Sequence, residues 1–175
     1  MQAIPRAVCG VPILGMANLM KNTGRPTQNL VKGAIAGLIG GLIATAAKTA
    51  AEHIYPPRIH GEPEPSAVLA EKLGEPIYPT KEKKVVEEGI HWGFGALTGA
   101  AYGVMAELYP SVTSKGGSTF GLALMTVTHE GALPAMGLAA SPVDQEPRER
   151  RSEMATHIVY GVVCETVRNL LRRVL

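Results

Sequence analysis

His91, His129 and His157 each lie in a Gly/Ala-rich apolar segment, and each has a carboxylate close by in sequence. Glu88 precedes His91 by three residues, Glu130 adjoins His129, and Glu153 precedes His157 by four. Separations of three or four stack two side chains on one face of a helix, whereas neighbours point apart, so Glu130 can face away from His129. An ionisable residue at membrane depth is by default a functional-site hypothesis.

Three chemistries fit these residues. Neutral imidazole is the commonest metal ligand. His91, His129 and His157 could therefore ligate a metal, with Glu88 or Glu153 completing the shell or fixing an imidazole tautomer from behind. Glu88-x-x-His91 has the spacing used in di-iron carboxylate bundles, but it occurs once rather than twice. Two of the histidines could instead bind haem iron axially, with Gly93, Gly95 and Gly99 leaving room for a macrocycle. The second chemistry is a proton or ion relay of Glu and His, continued toward the other face by Glu107 and Glu165, although Arg168 and Asn169 are within reach of Glu165. The third is structural: polar groups tie helices together at roughly 0.6 to 2 kcal/mol each. Lys48, four residues before Glu52, needs such a partner, since a lone lysine at mid-bilayer costs roughly 2.5 to 3.5 kcal/mol.

The elements that must position these groups are read from how charge is distributed. Charged residues make up 18% of the chain and mean hydropathy is only +0.10, values a water-soluble domain could share. The charges, however, crowd into residues 55–88 and 144–153, leaving four apolar windows at about 30–54, 89–109, 118–140 and 154–171. Each approaches the roughly 20 residues of a membrane span. Glycine supports lipid as the solvent: Gly33, Gly37 and Gly41, and again Gly95, Gly99 and Gly103, recur at intervals of four. Interior glycine weakens a water-soluble helix, whereas in lipid it lets helix backbones approach closely. The expectation is an all-α integral membrane bundle of about four transmembrane helices, a single domain over residues 29–175. An N-terminal interfacial segment over residues 1–28 would precede it.

Alternating spans bring the end of the first helix, the start of the second, the end of the third and the start of the fourth to one face. At 1.5 Å rise per residue, Glu52, Lys48, His91, His129, Glu153 and His157 all fall within a few turns of that face and can meet.

The segment between the first two spans, with Pro56-Pro57-Arg58, Pro63, Pro65, Pro76 and Pro79, cannot continue a helix. It reads as an extramembrane loop interrupted by a short helix over 66–73, capped by Ser66. The N-terminal run 8–20 is apolar but too short to span. Cys9 and Cys164 suit free thiols better than a disulfide framework. A net charge of +2 is too slight to suggest nucleic acid. Lys and Arg divide almost evenly between the two sides and carry little sidedness signal, while Arg168, Arg172 and Arg173 resemble a cytoplasmic interfacial anchor. Nucleophile elbow, phosphate loop, CxxC and His-Glu-x-x-His are all missing, which argues against a familiar enzyme class.

The order Lys48, Glu52, Pro56-Pro57-Arg58, His91, Ala106-Glu107-Leu108-Tyr109-Pro110, His129, Pro134, Gly137, Glu153 and His157 resembles the pattern of the YagU-like inner-membrane protein family from about Gly33 onward. Glu88 and the residues up to Gln28 stand outside that pattern. The resemblance implies a small multi-pass protein of the bacterial inner membrane and brings no settled enzymatic activity. The function expected is an accessory or structural membrane subunit, in contact with the lipid bilayer and with other subunits or copies of itself. Metal or haem binding and ion relay are the alternatives.

Overall fold

Glycine decides how the helices cross. The computed structural model describes residues 25–74 and 80–175, all-helical and without strands among those residues. The expected N-terminal segment lies outside them up to residue 24, as does Cys9, while Arg25–Gln28 open the first helix. The elements are α1 (Arg25–Ile54), α2 (Pro65–Gly74), α3 (Thr80–Leu108), a 3-10 segment (Pro110–Gly117), α4 (Ser118–Val127) and α5 (Pro147–Arg172). After Val127 the α4 chain continues through a π-helical turn, Thr128–Ala132, and a last α-turn, Leu133–Ala135.

Helices α1 and α3 run antiparallel with Gly33 opposite Gly103, Gly37 opposite Gly99 and Gly41 opposite Gly95. A Cβ on any of the six would strike the other helix. The same register continues to Thr45, whose hydroxyl fills the space beside Gly95, and to Thr49, whose Oγ1 lies 3.2 Å from His91 Nε2. Helix α5 packs on the other side of α1, where a Cβ on Gly40 would come within 2.8 Å of the Cys164 carbonyl oxygen, and α4 closes on α5 through Gly117, Gly121 and Gly161. Lys115, Gly116 and Gly117 all have positive φ, which makes the tight turn into α4 and brings Gly117 against Gly161.

Helix α3 meets α4 and α5 through long side chains. Tyr102 stacks on Phe120 at 4.1 Å, and the Tyr160 hydroxyl donates to the Gly95 carbonyl at 2.7 Å. These aromatics, with Ala44 and Cys164, form the buried core.

Small and aromatic residues share the interior with polar ones, and many large aliphatic side chains lie outside it. Thr45, His129, Glu153, His157, Glu165 and Arg168 are buried, while Val31, Ile35, Ile43, Phe94, Leu97, Val127 and Val162 face outward. By length and hydropathy, one helix of the described residues, over Thr27–Ile54, suffices to cross a membrane. The other three expected windows fall short of that measure: the α3 window is diluted by glycine, His91, Trp92 and Tyr102, the α4 helix is only 10 residues long, and the α5 window carries Glu165 and Arg168. Helix α3 begins at Thr80 rather than near residue 89 and includes Lys83, Lys84, Glu87 and Glu88, whereas α5 starts among Arg148, Glu149, Arg150 and Arg151. The α4 helix ends in the π turn that carries His129 and Glu130.

Candidate functional site

Pro134 shapes the site before any charge enters the account. In a π-helical turn the His129 carbonyl would accept from the residue five positions on, but that residue is Pro134, which has no N–H. The Leu133 N–H instead bonds the Thr128 carbonyl. Gln145 Nε2 approaches the freed His129 carbonyl at 3.5 Å. Helices often widen into a π turn at functional positions, and here the widening directs His129 inward, 9% exposed.

Helix α5 supplies the facing groups one turn apart. Glu153 is 1% and His157 4% exposed. His157 Nδ1 lies 2.8 Å from the Glu153 backbone carbonyl. A carbonyl can only accept, so Nδ1 carries the proton and the Nε2 lone pair is left available. His129 Nδ1 is 3.5 Å from Glu153 Oε1, His157 Nδ1 is 3.6 Å from Oε2, and the two imidazoles meet edge to face at 4.9 Å. One ligand-type atom from each of His129, Glu153 and His157 lies within 4.8 Å of the others. Donors on a tetrahedral zinc ion stand roughly 3.3 to 3.6 Å apart, so separations as wide as 4.8 Å would close by about an ångström as all three came onto one metal.

Arg58 completes the arrangement from the loop. Tyr55 is held to α5 by the Ser152 hydroxyl, which donates to its carbonyl, and by Arg148 over its ring at 5.2 Å. Pro56 and Pro57 then place Arg58 so that Nη2 donates to Glu153 Oε1 at 2.9 Å. Glu153 Oε2 is buried without a hydrogen-bond partner. A buried polar atom left unmatched costs roughly 1 to 3 kcal/mol, more when charged, so Oε2 is the strongest sign of a ligand. A chamber of about 300 Å³ adjoins the two imidazoles, its wall including Thr45, Lys48, Leu69, His91, Phe94, Leu124, His129, Leu133, His157 and Tyr160.

The other expected groups separate into two sets. His91 borders the chamber but bonds Thr49 and stands outside the three-residue cluster. Lys48 pairs with Glu52, and Arg58 divides between Glu153 at 2.9 Å and Glu64 at 3.3 Å. Glu88 accepts from Trp92 Nε1 at 3.1 Å on the exposed side, away from His129, and Glu130 accepts from Arg150 at 2.6 and 2.9 Å. At the opposite end, Glu165 accepts from the Tyr102 hydroxyl and from Arg168, and Glu107 accepts from Arg172. Arg168 and Arg172 are thereby folded into carboxylate pairs. The space at Gly95 is filled by the Thr45 side chain and that at Gly99 by the α1 backbone, so the helix crossing takes up the room a macrocycle would need there, while Gly93 faces open space.

Sequence reasoning placed Arg58 in an extramembrane loop and missed its role. The signal available was a rigid Pro-Pro pair delivering one arginine to the face where Glu153 begins its helix. The α2 roof over the chamber left no comparable signal.

A family model described as protein of unknown function (DUF1440) matches residues 42–166. No curated protein and no solved structure matches the chain.

Proposed function

We propose that this chain, which belongs to the DUF1440 family, is a multi-pass membrane protein that holds a divalent transition metal between His129, Glu153 and His157. One observation carries the metal: Glu153 Oε2, fully buried and unpartnered, in a carboxylate of which one oxygen and one ring nitrogen from each of His129 and His157 lie within 4.8 Å of one another. Two imidazoles and one carboxylate suit iron, zinc and related ions, and leave further coordination positions for water or substrate. Arg58 holds Oε1 and leaves Oε2 for the ion, an outer partner of the kind that orients metal-binding carboxylates.

The membrane reading draws on the outward-facing aliphatic side chains of α1, α3, α4 and α5. A belt of that kind in water would be an interaction or aggregation surface. Four helices crossing, with the charged start of α3 outside the bilayer, accommodate it. The resemblance to YagU-like proteins supports the bacterial inner membrane as the location. An accessory-subunit role has less to draw on, because the glycine ridges that could have docked a partner are used between α1 and α3. A relay through Glu107 and Glu165 would meet carboxylates already closed by arginine.

Metal analysis of protein purified gently from its native membrane tests the site. One metal ion per chain, lost in His129→Ala, His157→Ala and Glu153→Gln but kept in His91→Ala, is expected. Background metal in the unaltered protein would sink the reading.

A further inference from the structure

The chamber beside the histidines opens to the surface past Phe94 and Met136, which line it and are more than half exposed. It measures about 300 Å³ and is bounded by Leu69, Phe94, Leu124 and Leu133, with His129 and His157 in the same wall. Glu153 is not among the residues that border it and contacts both histidines. A ligand in the chamber therefore meets the imidazoles and any ion they hold before it meets the carboxylate.

Its size lies at the lower end of the roughly 300 to 1,000 Å³ of small-molecule sites, too small for a helix from another protein. Its lining is largely apolar, with a few polar groups, which is the ordinary make-up of a site that fixes one polar end of an apolar molecule. The roof is α2, whose Pro65, Ser66 and Leu69 face the chamber. That helix is held by polar bonds at its rim: Lys72 Nζ donates to the Met136 and Gly137 carbonyls at 3.0 and 3.2 Å, and Glu71 pairs with Lys83 at 3.4 Å. Outward-facing Phe94 and Leu97 on α3 put apolar surface on the outside of the chamber wall as well.

Building on the metal reading, we propose that the chamber binds a small lipid-soluble molecule, its oxygen-bearing head on the metal at His129 and His157 and its hydrocarbon tail against Leu69, Leu124 and Leu133. An oxygen donor suits the positions that two imidazoles and one carboxylate leave open. A tail of several carbons buried in such a lining adds at least about tenfold in affinity by the usual area relation.

The test uses the full chain in detergent, loaded with Co²⁺, whose visible absorption reports its coordination. Acetohydroxamate and decanohydroxamate are the probes, sharing one chelating head and differing only in tail. The expected result is that both change the cobalt spectrum and that decanohydroxamate binds at least about tenfold more tightly. Leu69→Trp, and separately Leu133→Phe, should keep the cobalt spectrum and acetohydroxamate affinity while abolishing the tail's advantage. Equal affinity of the two probes overturns the ligand proposal alone, as does a tail advantage that survives both substitutions. A chain that takes up no cobalt overturns the metal reading and this proposal together.

Discussion

Among the described residues two buried carboxylate clusters lie at opposite ends of the interior, and they are built to opposite rules. Around Glu165 both carboxylate oxygens are used: Oε2 accepts from Tyr102 at 2.8 Å and from Arg168 Nε at 2.7 Å, and Oε1 from Arg168 Nη2 at 2.9 Å. Glu107 is equally closed, with Arg172 donating to its two oxygens at 2.7 and 3.0 Å. Around Glu153, Arg58 takes one oxygen and the other is left bare. Burial is similar, 8% exposure for Glu165 and 1% for Glu153, so depth alone does not separate them. The difference lies in hydrogen-bond saturation. A saturated network fixes helices; an unsaturated one beside two imidazoles and a chamber is available to a ligand.

Substitutions can break that contrast. Glu165→Ala leaves Arg168 buried without its main partner and is expected to cost about 3 to 5 kcal/mol of stability, read by denaturant unfolding in micelles, with metal content per folded chain unchanged. Metal loss in that variant would show the two clusters to be one system. Glu153→Gln preserves shape and is expected to cost less, about 1 to 3 kcal/mol, yet to remove the metal entirely by elemental analysis. Arg58→Lys keeps the charge but not the fork, and should weaken metal affinity about 10- to 100-fold in a competition titration against a chelator. His91→Ala should act least, with full metal content and about 1 kcal/mol lost with the Thr49 hydrogen bond. A metal-free His91→Ala protein would enlarge the ligand set beyond the three residues named.

The sequence carried the helices well and the site unevenly. Glycines spaced by four in two segments imply two helices in close contact, and the structure sets those residues opposite one another. The short helix expected over 66–73 lies within α2, and Lys48 pairs with Glu52 one turn away. These features are periodic or local, which is why they are legible. The meeting of His129 with His157 was within reach because antiparallel succession returns the chain to one face. Arg58 on Glu153 was not, since it joins residues far apart through an irregular loop with no period to read. His91 borders the chamber at the level of His129 and His157, but its bond to Thr49 depends on how α3 is rotated, which the glycine register sets and hydropathy does not. The start of α3 at Thr80 was hidden because helix-forming charged residues extend a helix without adding to its apolar window.

The π turn ahead of Pro134 has a further consequence, in helical phase. Each residue advances a helix by about 100°, and a π turn holds roughly one residue more than an α turn, so the halves of the α4 chain are out of phase by that angle. Before the turn, Gly121 rests on the His157 carbonyl and Leu124 borders the chamber; after it, Leu133 and Met136 border the same chamber. Shortening 128–132 by one residue would restore a uniform helix and swing one half away from the interior, although every side chain at the site would still be present in the sequence.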